Sequence, residues 1–405
     1  MAARIFYGWW IVAACLLIAI LSWGLGVFGA GVSLHAITQT RGLSVGSVST
    51  AITMSGILSA IATFFVGPAI DRYGPRPVMA FGALVMAVGL ALIGQVQTLP
   101  QVYGAFILSG LGNACLSVTA ITAAISPWFE KYQGRAMSSA MLGASVGGMS
   151  STPILLLGVE HIGFPATMLW GAGVLLAVVL PLALFVIHKS PAQLGLYPDG
   201  EGPSEKHPPT ALRGFTRAEA IRTVGFLTLV LAFSLGLGVQ VGFLTHHVTL
   251  SVPFLGTSGA SFIVSITAIA AFAGRVALAR WADQVDLRTT AAAVLCVAAV
   301  SLEAIAAFPI ASVLIGASLV YGLTTGNVTT LSPIIMRREF GAAAFGAING
   351  AAWMLIGIAC ALGPVLFGWM YDWFGGYGAA LHIAGALDLA AAAIVYLGRP
   401  KTSFS

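Results

Sequence analysis

A single arginine interrupts one of the longest apolar stretches of this chain. Arg275 lies within residues 261–279, about two helical turns before Asp283. If this stretch crosses a bilayer as a helix, Arg275 is roughly 12 Å from the polar boundary, at a rise of about 1.5 Å per residue. The hydrocarbon layer is about 30 Å thick, and an unpaired cation near its centre costs at least a few kcal/mol. An ionisable residue at this depth therefore indicates a functional site.

The planar guanidinium of Arg275 matches a carboxylate through two parallel hydrogen bonds. We therefore expect Arg275 to bind a small organic anion at mid-depth. Two alternatives remain open, because the side chain could instead bond to backbone carbonyls or extend along the helix to water.

Other candidate substrate contacts are polar or aromatic residues predicted at similar depth. Asn113 and Ser117 are four residues apart, as are Tyr321 and Thr325, so each pair is expected to share one helix face. Ser145 is a further polar candidate, and Phe28 could form an apolar wall. For each polar group, the alternative is a hydrogen bond between helices.

Asp388 and His246 are the candidates for proton coupling. Asp388 and Glu303 are the acidic residues predicted to lie deep within apolar stretches. Histidine titrates near pH 6.5, so His246 could carry a proton at physiological pH. The alternatives are a helix–helix hydrogen bond for Asp388 and, for His246 and the adjacent His247, a solvated loop at the end of a span.

The composition indicates a polytopic membrane protein. Of the 405 residues, 58% are hydrophobic and 8% are charged, whereas soluble proteins carry about 25% charged residues. Twelve apolar stretches, each near the roughly 20 residues that cross a bilayer as a helix, lie at about 9–33, 46–69, 77–97, 101–125, 136–158, 165–188, 223–247, 258–282, 289–308, 310–336, 345–370 and 377–397.

The basic residues predict the orientation in the membrane. Of the 18 Lys and Arg residues, all except Arg41 and Arg275 fall at the termini or in connections on one side. This is the positive-inside distribution, so both termini are expected in the cytoplasm and the chain in the inner, or plasma, membrane. The net charge of +5 therefore reflects this distribution and not a nucleic-acid partner.

An internal repeat predicts two six-helix bundles. Phe129, Ala136 and Pro153 recur as Phe340, Ala347 and Pro364 with a constant offset. We expect an N-terminal bundle over residues 1–188, a Pro-rich cytoplasmic linker over 189–222 and a C-terminal bundle over 223–405. The predicted fold class is an all-α membrane protein with twelve transmembrane helices in two pseudo-symmetric bundles.

The segment after the second span carries a known pattern. Residues 67–76, with Gly67, Asp71, Arg72, Gly74 and Arg76, resemble the signature of the major facilitator superfamily. A carboxylate at a helix end can pair with a cation of a neighbouring helix and hold the cytoplasmic side closed. A degenerate second copy lies at 279–284. The expected gating residues are Asp71, Arg72, Arg76, Arg135, Arg280 and Asp283.

Further motifs resemble the bacterial monocarboxylate transporter and oxalate/formate antiporter group. They are residues 6–10 (FYGWW), 128–136, 190–200, 363–372 and the pair Gly274–Arg275. The resemblance implies that Arg275 grips the substrate carboxylate. Two positions depart from the animal transporters, since Ala271 replaces an acidic residue and Phe28 stands roughly where a lysine is found. Both departures put the animal coupling scheme in doubt.

The sequence has no pattern typical of an enzyme. It lacks a phosphate-binding loop, a nucleophile elbow, a dinucleotide fingerprint and a metal-ligand cluster, so we predict no catalysis, cofactor or metal. The predicted function is secondary active transport of small organic anions such as lactate by alternating access, with either proton coupling or anion exchange. The alternatives are a drug or metabolite exporter and a receptor of the same fold that does not transport. The oligomeric state stays open.

Overall fold

The computed structural model describes residues 6–129, 132–200, 214–281, 285–341 and 345–399. These residues are overwhelmingly helical, and their one β-contact is an isolated bridge between Gly214 and Gly341. The helices are α1 (Gly8–Leu21), α2 (Gly29–Arg41), α3 (Val45–Tyr73), α4 (Pro75–Gln95), α5 (Leu99–Ala114), α6 (Val118–Ile125), α7 (Gln133–Ile162), α8 (Phe164–Pro181), α9 (Arg217–Ala220), α10 (Val224–Trp281), α11 (Leu287–Ala307), α12 (Ala311–Phe340), α13 (Phe345–Phe374) and α14 (Gly378–Leu397).

Within the described ranges, eleven helices are long and apolar enough to cross a membrane. One of them covers 55 residues of α10, which is far too long for one crossing at about 1.5 Å per residue. This helix is broken at Gly256, whose φ of 67° lies in the left-handed region that glycine tolerates. The break separates the predicted seventh and eighth spans, and the predicted all-α membrane fold is confirmed.

Three predicted spans are not regular α-helices along their length, and the sixth of the twelve ends in a π-helical segment, Leu182–Val186. A π-helical segment, Ser22–Phe28, separates α1 from α2 within the first span. The fourth span is interrupted between α5 and α6, where Ser117 has an extended backbone (φ −69°, ψ 174°). Asn113 and Ser117 therefore do not share one continuous helix face, and that expectation was wrong. The Ser117 side chain precedes the first residue of α6 but makes no capping hydrogen bond there.

The described helices form two compact units by their contacts. The first contains Met1–Leu43 and Met54–Lys206, and the second contains Ser44–Thr53 and His207–Ser405. In the first unit, α1 packs on α7, and α4 packs on α5 and α8. In the second unit, α10 packs on α12 and α13, and α11 packs on α14.

An arginine near the start of the third span of each unit fastens the end of the last span. In the first unit, Arg76 donates through Nε to the carbonyl of Ile187 and contacts His188 Nε2 at 2.7 Å. In the second unit, Arg288 donates to the carbonyls of Val395 (3.1 Å) and Gly225 (3.0 Å). The carbonyls of Ile187 and Val395 lie at the C-terminal ends of their helical segments, where the helix itself supplies no partner.

Candidate functional site

Arg275 lies in the second half of α10 and contacts α12. Its side chain is half-buried. The Nε–H group donates to the carbonyl of Gly326 at 3.2 Å, and Nη2 lies 3.5 Å from the Thr329 hydroxyl. The bond to Gly326 is of the backbone-carbonyl kind that the sequence left open as an alternative. It uses one of five guanidinium N–H donors and fixes the plane of the group.

Three glycines let α10 and α12 approach closely beside Arg275. A Cβ atom at Gly274 would collide with the backbone of Leu323, and one at Gly322 would lie 2.5 Å from the carbonyl oxygen of Thr267. A Cβ atom at Gly326 would lie 2.7 Å from Arg275 Cγ. Gly322 and Gly326 form the small-residue spacing that permits close helix packing in membranes. Gly326 therefore supplies both the space and the carbonyl that seat Arg275.

Gly326→Val is expected to destabilise the protein by about 1–3 kcal/mol, because the added side chain would collide with the carbonyl of Ala271 and crowd Arg275. The matched control is Gly316→Val on the same helix, where a Cβ atom would meet nothing within 4 Å. The apparent Tm of detergent-purified protein measures both effects. Equal losses in the two variants would show that helix propensity and not packing is responsible.

Tyr321 lies two turns before Thr329 on α12, and Thr325 lies one turn before it. Tyr321 is buried, and its ring centroid lies 4.6 Å from that of Phe243 on α10. The Thr325 hydroxyl donates to the carbonyl of Tyr321 at 3.1 Å. The two residues share a face of one continuous helix, as predicted, but the Thr325 hydroxyl is engaged by its own backbone. Their role in substrate binding stays a prediction.

In the first unit, Asn113 lies beside the π-helical segment. A Cβ atom at Gly26 would lie 3.3 Å from Asn113 Oδ1. Segments of π-helix occur mostly as single turns within α-helices and are frequent at functional sites. The Ser117 hydroxyl is buried and has no hydrogen-bond partner among the residues described.

Phe28 and Ser145 both lie near α7 in the first unit. The ring of Phe28 packs over Gly148, where a Cβ atom would lie 2.6 Å from its Cζ, and Ser145 on α7 is half-buried. The structure thus places Asn113 against the first span and Phe28 against α7. Their role as substrate contacts is still a prediction.

Two of the predicted gating arginines are exposed and lie over aromatic rings. The Arg72 guanidinium carbon is 5.2 Å from the ring centroid of Tyr73, and that of Arg135 is 5.6 Å from the ring of Trp9. Arg76 instead anchors the end of the sixth span, as described above. The side chains of Asp71 and Arg280, and Asp283 as a whole, lie outside the described residues. The gating assignments stay predictions.

The expectation that His246 and His247 lie in a solvated loop was wrong. Both are buried within α10, at 1% and 0% exposure, because the helix continues beyond the end of the apolar stretch. His246 Nε2 lies 2.9 Å from the carbonyl of Pro364, so it must carry the proton. His246 Nδ1 is then the acceptor for the Tyr377 hydroxyl at 2.8 Å. Both ring nitrogens of His246 thus have partners, and its role in proton coupling stays a prediction.

Glu303 lies about one turn before the end of α11 and is not buried. It pairs with His382 at 2.6 Å, and both side chains are exposed, at 40% and 55%. A Cβ atom at Gly385 would lie 2.6 Å from Glu303 Oε1, so a glycine provides the space for this carboxylate on α14. Of the two acids predicted at depth, Asp388 alone is buried, with 1% exposure.

Thr329 and Gly326 are the contacts of Arg275 that the sequence analysis missed. The Gly322–Gly326 spacing could have identified the face of α12 that meets a neighbouring helix. Which helix that is depends on tertiary packing, and no local pattern encodes it.

Comparisons with known proteins agree with this architecture. Residues 12–259 match the model of the family described as Major Facilitator Superfamily. A crystal structure of the nucleoside transporter NupG superposes with a TM-score of 0.73 over 97% of this chain and 99% of that chain, at 15% sequence identity. At this identity, the superposition is informative about the fold alone.

The chain is also similar to two proteins whose names state a substrate. The oxalate:formate antiporter of Oxalobacter formigenes is 27% identical over 201 residues, which is 49% of this chain and 45% of the antiporter. The chain thus spans less than half of the antiporter. Monocarboxylate transporter 13 of Bos taurus is 26% identical over 348 residues, covering 82% of this chain and 75% of that protein. The family match, the fold and these relatives together place the chain in the major facilitator superfamily of multi-pass membrane transporters.

Proposed function

We propose that this transporter carries small organic anions, specifically monocarboxylates such as lactate, by secondary active transport. The observation that supports the proposal is the position of Arg275, a permanent cation within a membrane-spanning helix that is fixed to α12 by the carbonyl of Gly326. The similarity to an oxalate:formate antiporter and to a monocarboxylate transporter supports the same substrate class.

The chemistry favours a carboxylate over a neutral substrate. Arginine keeps its charge in proteins, so its burial is compensated best by an anion and not by loss of a proton. A carboxylate accepts two parallel N–H bonds from a guanidinium, and such charge-assisted bonds are roughly twice as strong as neutral ones. A bound anion would thus remove part of the cost of a cation in hydrocarbon. The loaded protein would then change conformation more readily than the empty one.

We also infer the orientation and the membrane. The excess of Lys and Arg on the side of the termini favours cytoplasmic termini, and the bacterial antiporter relative favours an inner, or plasma, membrane. Alternating access is the transport mode that we assign on the basis of the family.

The proposal is tested by uptake of labelled lactate into proteoliposomes that contain the purified protein. We expect saturable uptake that excess unlabelled lactate, pyruvate or formate inhibits. Lactamide, which keeps the shape but replaces the carboxylate with a neutral amide, should fail to compete. Equal competition by lactamide, or lactate flux no faster than in protein-free liposomes, would contradict the proposal.

A metabolite exporter with a structural Arg275 remains the competing hypothesis, because the Gly326 bond is also what a purely structural arginine would make. Export of cationic or neutral compounds without carboxylate transport would favour it. A receptor of this fold would bind lactate in equilibrium dialysis and show no flux.

A further inference from the structure

A second titratable group inside the membrane is unexplained by the anion site. Asp388 is in the middle of α14, with 1% of its surface exposed. Its Oδ1 atom is buried and has no hydrogen-bond partner among the residues that the structure describes. A buried polar atom without a partner requires an explanation, because nearly all such atoms are satisfied.

A second unsatisfied acceptor lies one helical turn along α10 from the residue that faces Asp388. A Cβ atom at Gly236 on α10 would lie 3.7 Å from Asp388 Oδ1 and 2.6 Å from the side chain of Leu295 on α11. Gln240 follows Gly236 by one turn on the same face of α10. Gln240 is 7% exposed, and its Oε1 atom also has no partner in the described structure.

Among the residues that the structure describes, the titratable neighbours of Asp388 offer no cation to pair with a carboxylate. From α12, the Tyr321 phenol interacts electrostatically with the carboxyl group. On α11, which packs along α14, Arg288 is bonded to Glu339, and Glu303 is bonded to His382. Residues of α13 that meet α14 near Leu387 are apolar, including Leu362, Leu366 and Met370. On α10, the nearest histidine along the face of Gln240 is His247, whose Nε2 atom contacts Ser318 at 3.0 Å.

An ionised carboxylate is strongly disfavoured in such a site, whereas a carboxylic acid is not. The acid form also has one O–H donor, so a protonated Oδ1 becomes a donor, and Gln240 Oε1 on the facing stretch of α10 is an acceptor without a partner among the described residues. We propose that Asp388 is a proton-binding site and that its proton is exchanged during transport of the anion. The coupling part of this inference rests on the proposed function.

The proton step is simple. When water reaches the site, the O–H bond of Asp388 breaks, its electron pair stays on the carboxylate, and the proton passes to water. The reverse step reloads the acid from the other side of the membrane. One monocarboxylate moved with one proton transfers no net charge.

The two sites share the helices through which they could be linked. Gly236 and Gln240, beside Asp388, lie on α10 with Arg275. Tyr321 lies on α12 with Gly326, which holds Arg275. A shift of α12 against α10 would thus change the surroundings of both ionisable groups.

Infrared spectroscopy of the full-length protein in lipid tests the proton site without any substrate. We expect a carboxylic-acid C=O band at neutral pH in the wild type that is absent in Asp388→Asn and present in Glu303→Gln. Absence of this band in the wild type, or its persistence in Asp388→Asn, overturns the proposal. If Asp388→Asn does not fold, Asp388→Glu replaces it. A shifted band then supports the assignment, and an unshifted band overturns it.

Transport assays test the coupling. A gradient of one pH unit can drive about tenfold accumulation at one proton per anion, because a tenfold ratio corresponds to one decade of proton activity. We expect Asp388→Asn to lose this accumulation while keeping lactate exchange at equal pH, and Glu303→Gln to keep both. Wild-type accumulation by Asp388→Asn, or parallel loss of exchange in the folded variant, overturns the coupling. A wild-type band without carboxylate flux leaves the proton site standing and refutes the proposed function instead.

Discussion

Arg275→Lys is expected to lower lactate transport at sub-saturating concentration by roughly 10- to 100-fold. Lysine keeps the positive charge but loses the planar pair of donors, and hydrogen bonds to charged groups contribute about 1.5–3 kcal/mol each. Lysine also cannot reproduce the bond from Nε to the Gly326 carbonyl, which orients the cation. Initial rates of labelled lactate uptake in proteoliposomes, normalised to reconstituted protein, measure the effect.

The control for this variant is Arg217→Lys on the short helix α9, where the side chain is exposed. It should transport like the wild type. A matched thermal stability of both variants separates loss of binding from loss of folding. If Arg275→Lys transports lactate normally, Arg275 is a structural residue, and the exporter hypothesis gains support.

Arg288→Ala is expected to destabilise the second unit by about 3–5 kcal/mol, because it leaves a nearly buried carboxylate without its partner. Arg288 donates to both carboxylate oxygens of Glu339, at 2.6 and 2.8 Å, and to the carbonyls of Gly225 and Val395. Its side chain is 4% exposed, and that of Glu339 is 13% exposed. One guanidinium thus connects α10, α11, α12 and α14. The apparent Tm in detergent measures the loss.

An exposed ion pair in the same chain provides the control for this nearly buried one. Arg399 pairs with Asp286 at 3.0 Å, but the two side chains are 43% and 57% exposed. Since exposed pairs contribute about 0–1 kcal/mol, Arg399→Ala should change the Tm little. The double variant Arg288→Met/Glu339→Leu should be more stable than Arg288→Ala, because it leaves no unpaired charge. A double variant as unstable as the single one would mean that packing and the carbonyl bonds are dominant.

The sequence predicted the parts of the fold that depend on the length of apolar stretches. Hydropathy located the spans because each must cover the hydrocarbon layer, and Gly256 lies in the gap between the predicted seventh and eighth stretches. It did not predict the π-helical segment Ser22–Phe28 or the break before Val118, since both lie within stretches that remain apolar. Hydropathy is insensitive to how the backbone is hydrogen-bonded.

The candidate site was predicted less completely. The depth of Arg275 is predicted by counting residues and stays a prediction. Its contact with Gly326 could not be predicted, because it depends on which helices pack together. The solvated-loop interpretation of His246 failed because the end of an apolar stretch was taken as the end of a helix. Asp388 and Glu303 looked alike in the sequence, yet only Asp388 is buried, whereas Glu303 pairs with the exposed His382. Which face of a helix is covered depends on tertiary packing.

The two arginines that hold the last spans, Arg76 and Arg288, have a consequence for the evolution of the chain. Arg76 and Arg288 each link the third span of their unit to the end of its last span, and these bonds are made within one unit. An ancestral half that carried this arginine would already have held its last helix in place before any duplication joined two copies. After the duplication, the partners of the arginine could diverge. Arg76 now contacts His188 and Arg288 pairs with Glu339, while both arginines still hold the last span of their unit.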